Sequence, residues 1–321
     1  MRVLGIDEAG YGPNLGPLVV TASIWEFADH WTQGNWESAF RQAWRDIEGI
    51  KTAPPPIDDS KRLFSRSKGI QQLEQVVLAA LSTEPKPPST VDWPTSWPSL
   101  CERLKVTANL PIWHHDIPVS LPLAATEPAL ADAQARWRLV QEQTGIRLVS
   151  VRAKILFPED WNEGLEQEGN KATLLSRTSI ALLHDSLTAT DHETPTQIWC
   201  DRHGGRLRYA PFLWEVFPDR LIDVVTEMPR QSTYRFRFGN APIEVSFCCD
   251  GERFLPVALA SMVSKYVREV SMNSFNEFWR RQLPELKPTA GYPQDAKRFR
   301  DDVDFARRQL GITDRSFWRA R

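Results

Sequence analysis

The sequence predicts an α/β domain in layers, a mixed sheet flanked by helices. Three observations carry this. Short apolar segments alternate with longer ones whose apolar residues recur at helical spacing. The first two strand-like segments are joined by a short glycine-rich loop, which pairs them as an antiparallel hairpin. Three apolar segments end in an acid with a glycine within the next three residues, at Asp7, Asp201 and Asp250.

Residues 2–7 (RVLGID) read as a buried strand. After the Gly10 to Gly16 turn, residues 17–27 read as a second strand, rich in β-branched and aromatic residues. A short helix fits 36–48. The prolines of 52–63 make that stretch a loop. Apolar residues at 70, 73, 76, 77, 80 and 81 predict a helix over 68–81. Residues 84–100, rich in Pro and Trp, read as an ordered loop or the start of an insertion. A helix is expected over 127–143, a strand over 148–157, a helix over 170–187 and a short strand over 198–201. Strands follow at 220–228, 233–238 and 243–249, with Gly239-Asn240 as the hairpin turn between the last two. A long helix covers 256–283, with Pro256 in its first turn. A Pro/Gly loop and a final helix that Gly311 caps complete the chain. There is no internal repeat.

The chain has 321 residues, enough to bury a core without disulfide staples. Lys plus Arg number 39 and Asp plus Glu 41. A net charge of −2 excludes nucleic-acid binding by bulk charge, but not by a local basic face. Residues 261–321 carry a surplus of five positive charges, and the rest of the chain a surplus of seven negative ones. Cations that hold a phosphate backbone beside acids that hold metal would suit a phosphodiesterase. No apolar run approaches the roughly 18–20 residues of a membrane span, and the N-terminus lacks a signal-peptide pattern. The four cysteines form no CxxC pair, so a cytoplasmic location is expected. The 13 Trp and 24 Pro point to anchored loops.

Asp7 and Glu8 are neighbours, and neighbours on a strand point to opposite faces. Both can serve one site if the strand ends at about Asp7 and the turn re-aims Glu8. The plain alternative is a polar pair that starts a turn. Asp201 and Asp250 argue against it, because three strand-ending acids could meet at one sheet edge. Crowded carboxylates cannot all stay ionised without cations. An all-oxygen site suits Mg²⁺ or Mn²⁺, and two such ions can clamp a phosphodiester. The Gly10-x-Gly12 turn is not a dinucleotide fingerprint, since a strand follows it rather than a helix. Lys265 and Arg268 either face phosphates or are simply solvated. His114-His115 has no metal-ligand spacing around it. His203 reads as a surface loop histidine with an outside role in water or phosphate release. Trp93 and Trp97 read as core plugs of the insertion rather than base-stacking platforms.

Six segments in order resemble the ribonuclease HII family, the type 2 ribonucleases H. They are GIDEAGYGPNLGPLVV (5–20), DDSKRL (58–63), EGNKATLLSRTSIALL (168–183), IWCD (198–201), CCDGERFLPVALASMVSKYVRE (248–269) and AGYPQDAKRF (290–299). The resemblance implies a ribonuclease H-like mixed sheet flanked by helices, with inserted segments and an α-helical C-terminal segment. The catalytic domain would be 1–84 with 148–272, the insertion 85–147, and the helical segment 273–321. Asp7, Glu8, Asp201 and Asp250 would be the catalytic, metal-binding acids, with Mg²⁺ or Mn²⁺ in a two-metal site. One extra residue before the Ala-Ser helix makes Glu252 a rival to Asp250. Ser60 and Lys61 would contact the backbone near the scissile phosphate, with Asn170 and Lys265 as further substrate contacts. Gly10, Tyr11, Gly12 and Tyr292 would read the ribose 2′-hydroxyl. Tyr11 stands where the family usually carries Arg, and the chain is longer than most members, with the surplus in 28–50, 85–147 and 223–249. The implied activity is endonucleolytic hydrolysis of the RNA strand of RNA–DNA hybrids, or of ribonucleotides embedded in duplex DNA. The products would carry 3′-hydroxyl and 5′-phosphate ends. The implied partner is nucleic acid, bound by a monomer away from membranes. The alternatives are a catalytically silent binding module and a structure-selective DNA nuclease on the same fold.

Overall fold

The computed structural model describes residues 1–28, 31, 35–46, 57, 64, 69–85 and 92–320. Seven strands form one sheet: β1 (Arg2–Ala9), β2 (Leu18–Phe27), β3 (Ile146–Leu156), β4 (Thr196–Asp201), β5 (Asp223–Glu227), β6 (Gln231–Phe238) and β7 (Ala241–Cys248), in the order β3-β2-β1-β4-β7-β6-β5. The expected hairpin of β1 and β2 is antiparallel, and β3 adds antiparallel outside β2. β4 runs parallel to β1, and β7 parallel to β4. β6 and β5 continue antiparallel to the far edge. Three neighbouring parallel strands share one direction. Their C-terminal ends therefore lie at one edge of the sheet, and those ends carry the acids.

Helices cover both faces. On one side lie α1 (Trp36–Asp46), α2 (Gln71–Ser82), α3 (Trp97–Arg103) and α5 (Glu127–Thr144), while Trp113 of the short α4 (Ile112–Asp116) packs in the third core described below. The long α9 (Leu255–Gln282) joins them, and Trp25, Trp137, Leu78 and Leu259 share their core. On the other side are α6 (Pro158–Glu168), α7 (Lys171–Thr188) and α8 (Ala210–Val216), with α7 and α8 sharing a second core with Ile6, Val20 and Phe247. A third core joins the far half of α9 to α10 (Pro293–Gln309) and α11 (Asp314–Phe317) through Phe275, Trp279 and Phe299. The mixed sheet, the flanking helices and the helical C-terminal segment agree with the expected ribonuclease H-like class.

Within the described part of 84–100, Trp97 begins α3 and is buried in the first core, with Trp93 packed against that core, so the end of the segment is helical rather than loop. The short α4 and α11 were not expected, and neither were the longer α6 and α8. α6 and α8 each carry a proline in the first turn, and α6 ends at left-handed Gly169.

The start of α9 lies directly on β1. A Cβ at Gly5 would stand 2.1 Å from the Pro256 carbonyl carbon, so only glycine allows this approach. Ser23 Oγ donates to Pro256 O at 2.7 Å and fixes the same contact. This crossing brings the residues around 250–265 over the acid end of β1.

Candidate active site at the C-terminal edge of the sheet

The expectation that β1 stops at Asp7 does not hold. The strand runs on to Ala9, and Asp7 and Glu8 pair in register with Thr21 and Val20. They leave the sheet on opposite faces, yet both line one cavity of about 510 Å³, which wraps around the sheet edge. Asp201 reaches it from the end of β4, and Asp250 and Glu252 from the turn after β7. Gly10, Tyr11, Lys265 and Tyr292 complete much of its wall.

The carboxylates crowd one another. Asp7 is buried, and its carboxyl is held well above the usual range, first by desolvation and then by the charges of Glu8, Asp201 and Glu252. Glu8 is pushed up to about 7, by desolvation first and Asp201 next. Glu8 Oε2 is buried with no hydrogen-bond partner. Asp7 Oδ1 accepts from the Glu8 N–H at 2.8 Å, and Asp201 Oδ1 accepts from the Gly251 N–H at 2.8 Å. That second bond ties the turn after β7 to the end of β4.

The two rivals for the fourth acid differ. Asp250 is exposed and left-handed, with φ 57°, at the head of a single 3-10 turn. Glu252 is partly buried, its charge weighs on both Asp7 and Glu8, and it shares Ser261 with Asp7. Among these five acids, Asp7, Glu8, Asp201 and Glu252 form the coupled set. Their donors are all carboxylate oxygens, and one buried oxygen is orphaned, which fits a hard divalent cation. Among the described residues no preformed cluster of three or more metal ligands is found.

The other expected residues divide. Tyr11 lies at the cavity with its ring edge-on to Trp161 (6.5 Å, 73°), and Lys171 Nζ stands 4.7 Å from its centroid. Burial and then Glu8 raise its hydroxyl pKa. Gly10 lines the cavity, whereas Gly12 does not line it and has open space beside it. Tyr292 is 52% exposed, so its ring is available to a ligand. Lys265 Nζ is held by Glu269 at 2.8 Å and stands over the ring of Phe64, another wall residue. Asn170 is exposed away from the cavity wall, and its side chain caps α7 by accepting from the Thr173 N–H. Ser60 and Lys61 lie outside the described residues.

Three further residues, Arg268, His203 and His114, are buried. Arg268 is 1% exposed and donates to Ala290 O at 2.8 Å, so it binds loops together. His203 is buried rather than on the surface. Its Nδ1 lies 3.1 Å from Ser176 Oγ, and burial lowers its pKa to about 3. His114 stacks on Trp97 at 4.2 Å and meets Ser271 through Nε2. Ser261 went unnoticed in the sequence, although it stands one helical turn before Lys265, and i, i+4 residues share a face.

No protein-family model and no curated protein sequence matches the chain. Among solved structures, it is similar to the ribonuclease H2 from Pyrococcus horikoshii OT3, with 15% identity, 99% of this chain and 92% of that chain covered, and a TM-score of 0.45. It is also similar to the RNase HII of Archaeoglobus fulgidus, solved in a complex with PCNA (14% identity, 100% and 95% covered, TM-score 0.44). A third is Bst-RNase HIII, solved in complex with Mn²⁺ (15% identity, 99% and 66% covered, TM-score 0.41).

Proposed function

We propose that the protein is a divalent-metal-dependent ribonuclease H of the HII kind, an endonuclease that hydrolyses the RNA strand of a hybrid or a ribonucleotide embedded in duplex DNA. The observation that carries this reading is the meeting of Asp7, Glu8, Asp201 and Glu252, from three separate parts of the chain, at one sheet edge in a cavity with a basic and aromatic rim. The six sequence motifs supply the substrate class.

Asp7, Glu8, Asp201 and Glu252 would hold Mg²⁺ or Mn²⁺, with Asp250 at the outer wall. Metal bound there supplies a more acidic water and a Lewis acid for the scissile phosphate. Asp7, central to the coupled acids, would orient both sides of the reacting centre. Ser261 holds Glu252 in place through its hydroxyl. Lys265, fixed by Glu269, would meet a backbone phosphate at the rim. The exposed Tyr292 ring and the Gly10–Tyr11 backbone would meet the ribose, where the 2′-hydroxyl distinguishes RNA from DNA. Tyr11 offers a ring and one hydroxyl where a charged fork would otherwise stand, and Lys171 above it supplies the positive charge.

The test is cleavage of three duplexes, one a long hybrid, one with a single ribonucleotide and one all DNA, with Mg²⁺ and then Mn²⁺. Cutting of either ribonucleotide-containing duplex, with 3′-hydroxyl and 5′-phosphate ends, is expected. Cutting of all three alike would favour a DNA nuclease, and binding without cutting a silent module.

A further inference from the structure

The loop between β1 and β2 is clasped from two sides by buried arginines. On one side is Arg268 of α9. A Cβ at Gly10, whose φ is +93°, would stand 2.9 Å from Arg268 Cδ. On the other side is Arg319, from the last residues of the chain, itself 1% exposed. Its Nη1 donates to Gly10 O. Its backbone N–H donates to Asn14 O at 2.8 Å, and Asn14 Nδ2 donates back to Arg319 O at 3.0 Å.

The tail is docked further along α6. The Arg319 guanidinium lies 3.7 Å from the Trp161 ring centroid, and Trp161 Nε1 donates to Ala320 O at 3.0 Å. Asn162 Nδ2 donates to Arg315 O and Trp318 O, while Asn162 Oδ1 accepts from the Ala320 N–H. The same Trp161 meets Tyr11 on the cavity wall. Gly10 and Tyr11 are thus fixed by one carbonyl bond and one aromatic contact, and both lead to residues 315–320.

Arg319 is a costly way to stabilise a fold. Burying a guanidinium carries a penalty of several kcal/mol. Among the described residues no carboxylate pairs with it, and its Nε and Nη2 are buried without partners. An apolar side chain would pack there at lower cost. What the guanidinium adds is direction, a fixed donor aimed at the carbonyl of a left-handed glycine beside the acids.

We propose that residues 313–320 act as a strap, and that Arg319 is a positioning residue. It sets the Gly10–Tyr11 loop for substrate docking. The strap stands on geometry alone, whereas the link to substrate rests on the nuclease reading above.

The experiment compares Arg319→Ala, Arg319→Lys and Asn162→Ala with the unaltered protein. Hydrogen exchange of the segment 9–17 reads the strap. KM against kcat on the single-ribonucleotide duplex reads docking, and Mn²⁺ affinity reads the acids. For Arg319→Ala, exchange in the loop should accelerate about tenfold and KM rise about tenfold, with kcat within about threefold. Mn²⁺ affinity should stay within about twofold. Arg319→Lys should recover part of both effects. Asn162→Ala loosens the tail without touching the loop, so it should move exchange and KM the same way, and it decides the matter if Arg319→Ala does not fold. Unchanged loop exchange in a folded variant overturns the strap. Faster exchange with unchanged KM overturns the docking role. If the unaltered protein cuts no duplex, the nuclease reading fails and the exchange data still judge the strap.

Discussion

Two buried carboxylate sites lie in this molecule and share little else. Glu74, in the first turn of α2, is fully buried. Its oxygens accept from the N–H groups of Leu123, Ala124 and Ala125 at 2.6, 2.7 and 2.8 Å, and from the Tyr266 hydroxyl at 2.9 Å. At the sheet edge, Asp7 and Glu8 face other acids, and one Glu8 oxygen meets no donor. The first site spends its charge on ordering a loop inside the core. The second crowds carboxyls beside a cavity and leaves a buried oxygen without a donor. A buried charge with all its acceptors filled holds structure together, while crowded carboxylates call for something from outside.

The largest effect should come from Asp7→Asn. Cleavage should fall about a thousandfold or more, since the loss of a carboxylate that would hold the metal costs several kcal/mol at tenfold per ~1.4 kcal/mol. Duplex binding should persist, and the metal-free melting temperature should rise, because the crowded charge is relieved. A fall in melting temperature would place Asp7 with Glu74 as a structural acid. The mirror experiment is Glu74→Ala, which orphans three N–H groups and a hydroxyl. It should cost on the order of 3 kcal/mol in denaturant unfolding and leave Mn²⁺ affinity unaltered. Next, Glu252→Gln should weaken Mn²⁺ binding about tenfold or more, with a smaller loss for Asp250→Asn. Titration with Mn²⁺ followed by electron paramagnetic resonance ranks the two, and the reverse ranking would restore Asp250 as the fourth acid.

The smallest effect concerns pH. Burial, with His115 adding to it, lowers His114 to about 3, below its usual 6.5. A depressed folded pKa gives stability that is present above about 6.5 and is lost as pH falls towards 3. The slope should be at most ~1.4 kcal/mol per pH unit from this one group. Denaturant unfolding at several pH values should show a slope shallower by that amount in His114→Phe.

Much of this was legible in the chain. The acids at 7, 201 and 250 end apolar runs, and parallel strands necessarily bring such ends together. Helices α2, α5, α7 and α9 carry regular apolar spacing and were foreseen to within a few residues at their ends. Helices α6 and α8 were not, since PEDWNEGLEQE and APFLWEV lack a clean apolar stripe. The path of β1 past Asp7 was also hidden, because it depends on pairing with Val19 and Val20 rather than on local sequence. The turn that leaves Asp250 exposed and sets Glu252 beside Asp7 and Glu8 is a backbone feature that no spacing rule reveals. Glu74 and Arg319 were invisible for one reason: their partners lie about 50 and 309 positions away, and periodicity reports only neighbours.

That last separation has a consequence for the order of events at the ribosome. Gly10 emerges first, and the residue that clasps its carbonyl is made 309 positions later. At ~5–20 residues per second, that interval is roughly 15–60 s. Throughout it the acidic hairpin is complete in sequence but lacks its last clasp. The contact that finishes the loop beside the acids thus waits for more than three hundred residues of intervening synthesis.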